Sequence, residues 1–186
     1  EIVAAVAAAE GAETAFRAGV AFGEEGTVAF NRRFRMKDGL TYTHPGRGNP
    51  DIVEVAGPID PQVGVIGVWD LEGKLLGCIV NYACHATTNP GGISANWIYY
   101  LDRVVRGALG PEAVVVFLQG FSGDVTQVDN LSPFAERRGE DSARFVGGRV
   151  GAETVKALVG MPRELLAPLD YRARVLRIPR RKPAPE

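Results

Sequence analysis

The stretch NYACHATTNPGG, residues 81–92, holds His85, one of only two histidines in a chain of 186 residues. It follows an apolar run and precedes a loop of Asn, Pro and Gly. An imidazole placed there is open to three readings: a satisfied core or loop residue, a general base, or a metal ligand. No H-x-H, H-E-x-x-H or C-x-x-C pattern lies nearby, so the local sequence supplies no second ligand. A zinc site needs about three protein ligands, which would have to come from elsewhere.

A second polar loop, QGFSGDVTQVDN at 119–130, also follows an apolar run. Its Gly-Asp pair suits a turn, in which Asp124 bonds the backbone, but the same carboxylate could orient a ligating imidazole. Ser122 and Thr126 add hydroxyls that could bind substrate, act as nucleophiles or do neither. In NRRFRMK, residues 31–37, Arg33, Arg35 and Lys37 alternate with Arg32, Phe34 and Met36. The first set reads as a solvated strand face. Arg32 falls with the apolar set, where a guanidinium could hold a carbonyl or carboxylate. The second histidine, His44, precedes Pro45 and reads as structural or solvated. Dinucleotide and phosphate-loop glycine motifs and a G-x-S-x-G elbow are absent.

The elements that must position these residues follow from periodicity. VGVIGVWD (63–70) and KLLGCIVNYAC (74–84), separated by a short Gly-containing turn, read as paired antiparallel strands buried on both faces. SANWIYYLDRVVRGALG (94–110) has helical periodicity, with Ser94 or Asn96 as cap and Gly110 as stop. AVVVFLQG (113–120) reads as another buried strand. DSARFVGGRVGAETVKALVG (141–160) reads as a helix whose glycines allow close packing, and DYRARVLRIP (170–179) as an edge strand. Asp38-Gly39 supplies a hairpin turn between two strand-like arms, whereas RGNPDIVEVAGPIDPQ (47–62) reads as an ordered loop. The order predicts an α/β domain: a mixed sheet flanked by helices, with antiparallel hairpins. If the strands before the two polar loops run parallel and adjacent, those loops meet at one end of the sheet.

Composition narrows the class. Hydrophobic residues make up 46% and charged residues 23%, with a formal net charge of -1, which fits a folded domain and disfavours a general nucleic-acid binder. No run of about 18 apolar residues predicts a transmembrane helix. Cys78 and Cys84 read as two buried thiols, since an extended chain holds them too far apart for a disulfide. EIVAAVAAAEGAE reads as the last turns of an Ala-rich helix and RIPRRKPAPE as a Pro-rich exit, so 1–186 is expected to be one truncated domain cut from a longer polypeptide.

Taken together, these segments resemble the neutral/alkaline, non-lysosomal ceramidases. NYACHATT is similar to that family's F-A-V-H-x-T, and FLQGFSGDVTQVDN to its G-D-V-S-P-N or G-N-L-S-P-N loop. SANWIYYL lies where the family has S-G-D-N-x-G-Y-A, FNRRF resembles its N-R-S segment, and PIDPQVGVIGVWD its D-x-x-M-x-x-L strand. The look is closest to shorter bacterial proteins carrying a ceramidase-like N-terminal domain.

The resemblance implies a zinc amidase that hydrolyses an N-acyl bond of ceramide type through a metal-activated water. It implies His85 as a zinc ligand, with the remaining ligands outside this chain. It places Arg32 and Asn96 with the substrate, Thr126 at the family's essential serine, and Asp124 beside it in the catalytic loop. The implied partner is a small-molecule or lipid N-acyl substrate, and a secreted or periplasmic location is compatible. Two other readings stay open: a metal-dependent hydrolase of soluble amides or esters, and a binding domain with a degenerate site.

Overall fold

The computed structural model describes residues 1–134, 137–164 and 170–180. Its centre is a hairpin of β6 (Gln62–Asp70) and β7 (Leu75–Tyr82), paired antiparallel with Ile66 opposite Ile79. Asp70 ties the turn by accepting from Glu72 N at 3.0 Å and Lys74 N at 2.8 Å. Gly73, at φ 92°, supplies the left-handed residue that the turn requires. β1 (Phe16–Glu24) adds antiparallel to β6, and β8 (Val114–Gln119) adds parallel to β7. The sheet order is β1-β6-β7-β8, the mixed α/β arrangement expected from the sequence.

Two helices cover one face of this sheet: α2 (Trp97–Leu109) and α3 (Gly139–Val159). Trp97, Leu101 and Val105 of α2 meet Val63, Val65, Val80 and Tyr82 of the sheet in one fully buried cluster. Burying each such aliphatic side chain contributes roughly 1.5–3 kcal/mol. The glycines within α3 allow the two helices to touch. A Cβ at Gly147 would collide with Trp97 O and Tyr100 Cβ, and one at Gly151 would lie 2.8 Å from Val104 Cβ. An N-terminal helix, α1 (Ile2–Glu10), buries no residue.

Two smaller sheets complete the architecture. β3 (Arg33–Met36) lies between β4 (Thr41–Thr43) and β5 (Ile52–Val55), and β2 (Phe30–Asn31) pairs with β9 (Val125–Thr126). The Asp38-Gly39 turn forms as expected, with Gly39 at φ 81°. Along β3 the burial alternates, Phe34 and Met36 inward and Arg33 and Arg35 outward.

Four expectations need correction. The 47–62 segment is not purely loop: Ile52–Val55 forms β5, because β3 has a free edge and IVEV carries β-branched residues. AVVVFLQG forms β8, but it is an edge strand rather than a buried one. Val114, Val116 and Leu118 are exposed, because the helices cover only the opposite face. The same one-sided cover leaves Ile66 partly exposed on β6, so the central hairpin is not buried on both faces. Residues 170–179 form no strand; Tyr171, Val175 and Ile178 are exposed. The final stretch expected to be a Pro-rich exit lies outside the described residues from position 181 on.

Candidate functional site

The parallel pairing of β7 with β8 sets Tyr82 opposite Gln119, so both polar loops leave the sheet at the same end. They then bond directly. His85 N donates to Val125 O at 3.0 Å, and Gly120 N donates to Tyr82 O at 3.0 Å. Gln119 Nε2 donates to Cys84 O at 3.1 Å and to Ser122 Oγ at 2.6 Å, while Thr87 Oγ1 donates to Gln127 Oε1 at 3.1 Å. Gly120 allows the approach, since a Cβ there would lie 3.0 Å from Ala83 N. On the other side, Trp97 Nε1 donates to His85 O at 3.0 Å. The backbone of His85 is thereby fixed from a strand pair and from the first turn of a helix.

The Gly-Asp loop is held by the NRR segment. Arg32 N donates to Asp124 O at 2.7 Å, and Arg32 Nη2 donates to Gly123 O at 2.8 Å. Asn31, 3% exposed, donates from Nδ2 to Asp124 Oδ2 at 2.9 Å and to Pro58 O at 3.1 Å. Its Oδ1 accepts from Arg33 N at 2.9 Å. Asp124 therefore acts on its surroundings through an amide, and the Arg32 guanidinium spends one nitrogen on the loop while the side chain stays half-buried.

Thr126 is 2% exposed, in β9 opposite Phe30, and its hydroxyl accepts from Val128 N at 3.3 Å. Asn96 is the N-cap of α2. Its Oδ1 accepts from Trp97 N at 2.9 Å and from Thr88 Oγ1 at 2.8 Å. It does so at φ 57°, ψ -144°, a region that side-chain-bearing residues enter at a cost of about 1–3 kcal/mol. Ser94 Oγ accepts from Asn96 N at 3.1 Å, ahead of the helix, so of the two cap candidates Asn96 is the one that caps α2. His44 pairs with buried Asn130 across 3.2 Å from its Nδ1, consistent with a structural place.

The half-buried His85 ring has a buried Nδ1 with no hydrogen-bond partner among the described residues. Such a nitrogen fits the donor set of a transition metal, which takes neutral imidazole. No group of three or more His, Cys, Asp or Glu side chains able to hold an ion occurs among the described residues. Both cysteines are buried and free, and burial pushes Cys78 up to about 11 and Cys84 up to about 12, so neither is a thiolate at neutral pH.

Three residues of this region were not singled out from sequence: Asn31, Gln119 and Trp97. Each acts through a side-chain bond to a distant backbone or carboxylate, and each stands beside a residue that was singled out or at the end of a strand. A polar residue ending an apolar strand, as Gln119 does, is the one signal that could have drawn attention. Beyond the two loops a cavity of about 380 Å³ opens, lined by Thr87, Thr88, Asn89, Gln127 and Arg137 among others.

No family model matches the chain. In sequence it is 28% identical to the neutral ceramidase of Pseudomonas aeruginosa, over 74% of this chain and 22% of that protein. In structure it is similar to the crystallised neutral ceramidase from Pseudomonas aeruginosa, with a TM-score of 0.63 and 24% identity over 86% of this chain and 25% of that one. A ceramidase complexed with C2 gives a TM-score of 0.58 at 25% identity, over 79% of this chain and 23% of that one. The chain thus spans about a quarter of the length of the relatives it matches. In sequence and in fold alike, this chain is similar to one segment of neutral ceramidase.

Proposed function

We propose that residues 1–186 are part of one catalytic domain of a ceramidase-like, zinc-dependent amidohydrolase acting on an N-acyl lipid amide. The observation that supports this most is the junction of the two loops: a fixed His85 with an unpartnered Nδ1, hydrogen-bonded through its backbone to Val125 between Asp124 and Thr126. The similarity to neutral ceramidase supports the same reading.

In this proposal His85 contributes one ligand and the other ligands lie outside the chain. Zinc, when bound, supplies Lewis acidity and lowers the pKa of water to about 7. Arg32 keeps guanidinium donors beyond the one that holds Gly123 O, and these receive an oxygen of the substrate's polar head. Asn96 commits its Oδ1 to the cap, which leaves its amide nitrogen for the substrate. Asp124 holds Asn31 and so fixes the loop. Thr126, with its hydroxyl turned inward, shapes the site beside the acyl carbonyl rather than attacking it.

The test is metal analysis and hydrolysis of a short-chain fluorescent ceramide by a protein containing this chain, with and without His85→Ala. The substitution is expected to remove both zinc and activity. Full retention of both would return His85 to a structural role. The 186-residue chain alone is expected to bind zinc weakly, and a stoichiometric submicromolar site in it would contradict a site shared with other segments.

A further inference from the structure

Two cavities lie side by side at the start of α3 and share Gln127, Arg137 and Ser142 in their walls. The smaller, about 170 Å³, is also lined by Arg47, Asp129 and Phe145; the larger, about 380 Å³, by Arg138 and Thr88. Among the described residues their charged lining is three arginines against one carboxylate, with Arg137 ion-paired to Asp141 and Arg138 also partnered. The N-terminus of α3, a helix of 21 residues, presents partial positive charge toward these cavities, offset in part by Glu140 and Asp141 in its first turn.

Two donors in these walls lack partners among the described residues. Ser142 is 6% exposed, lines both cavities, and its hydroxyl has no hydrogen bond among the described residues. Arg47 Nε is buried without a partner, although its Nη2 reaches Phe134 O. A buried, unsatisfied guanidinium nitrogen is costly unless something fills it. Two of the nearby acids are engaged: Asp129 Oδ1 accepts from Leu131 N at 2.9 Å and Ser132 N at 3.2 Å, and Asp141 pairs with Arg137 at 3.3 Å. Arg137 also lies 4.5 Å over the Phe145 ring, which holds it at the cavity wall.

We propose that this cleft binds an oxyanion group, a carboxylate or a phosphate, between Arg47, Arg137 and Ser142. His85 lines neither cavity, and the site stands whether or not the chain belongs to an amidase. Fork-shaped guanidinium donors match both anions. Phe30, Val28, Phe145 and Val146 in the smaller cavity offer an apolar wall to a carboxylate with a hydrocarbon body.

The experiment titrates the purified chain with sodium phosphate, acetate and octanoate against sodium chloride at matched ionic strength, by calorimetry and amide NMR. Saturable binding with shifts at Ser142 and Gln127 is expected. Each of Arg47→Gln and Arg137→Gln is expected to weaken it about tenfold or more, the scale of a lost charge-assisted bond. Arg103→Gln, on exposed α2 surface, is expected to leave it unchanged. Arg47→Lys, which keeps the charge but removes Nε, serves if Arg47→Gln does not fold, and is also expected to weaken binding. Octanoate binding tighter than acetate would support the site and name a fatty carboxylate; phosphate binding tightest would support it and name a phosphate. No saturable binding by any of the three, or binding untouched by the Arg47 and Arg137 substitutions, would overturn the proposal.

Discussion

Asn31 and Asp124 stand 93 residues apart in the chain and are joined by a 2.9 Å hydrogen bond from amide to carboxylate. The same buried amide also bonds Pro58 O and Arg33 N. One side chain thereby ties three segments around the Gly-Asp loop. Asn31→Ala strands these partners and is expected to cost about 1–3 kcal/mol of stability in urea melts. Asn31→Asp sets a carboxylate against Asp124. Two contacting carboxylates repel when both are ionised, so its cost should be largest at neutral pH and shrink in acid, where a shared proton relieves the repulsion. A pH-independent cost for Asn31→Asp would break the argument.

The contact of α2 with α3 gives a paired test. Gly147→Ala drives a methyl group into Trp97 O and Tyr100, and overpacking of this kind costs roughly 1–3 kcal/mol. Gly148→Ala, one position on, meets nothing within 4 Å and gains helix propensity of about 0.8–1 kcal/mol. Thermal melts of the two variants should therefore move in opposite directions, and a shared direction would contradict the packing.

Glu25, 6% exposed, accepts from Thr27 and from Arg149 Nε at 2.7 Å. Burial pushes its carboxyl up, but the bonds from Thr27 and Arg149 together outweigh it and leave it below its ordinary 4.5. A depressed folded value means that the ionised form stabilises the fold above pH 4.5, and that this is lost as pH falls through the lower folded value. Glu25→Gln should flatten the acid side of the stability-against-pH curve while leaving its alkaline side in place. An unchanged acid slope would show that other groups carry it.

Cys78 and Cys84 are expected to resist a disulfide reagent at pH 8 in the native state, since burial raises them to about 11 and about 12. In denaturant both should react at once. Rapid native labelling of either would mean that the sheet opens at β7.

Much of the framework was legible because its signals are local. The central hairpin announces itself by two apolar runs around a Gly turn, α2 by its caps, and the β3–β4 turn by Asp38-Gly39. The meeting of the two loops followed from topology once β7 and β8 were taken as parallel. What sequence hid depends on what lies across a gap. The run VVVF reads as buried, yet only one face of β8 meets a helix, so Val116 stands in solvent. The IVEV segment reads as loop amid its prolines, and only the free edge of β3 makes it a strand. Residues 170–179 alternate like a strand but find no partner edge among the described residues. Asn31 carries no pattern at all, and Gln119 only its place at the end of an apolar strand, because their role is a side-chain bond to distant atoms.

Trp97 makes the region observable. Its indole is fully buried and edge-on to Phe117 at 4.9 Å and Tyr82 at 6.2 Å, and its nitrogen is bonded to the carbonyl of His85. The chain holds only two tryptophans, and the other, Trp69, lies under the guanidinium of Arg163. With Trp69 replaced by Phe, the emission of the molecule becomes an optical readout of one hydrogen bond. Any event that shifts the histidine loop by a fraction of an ångström changes the environment of that single indole and registers as a change in colour or lifetime, with no label attached.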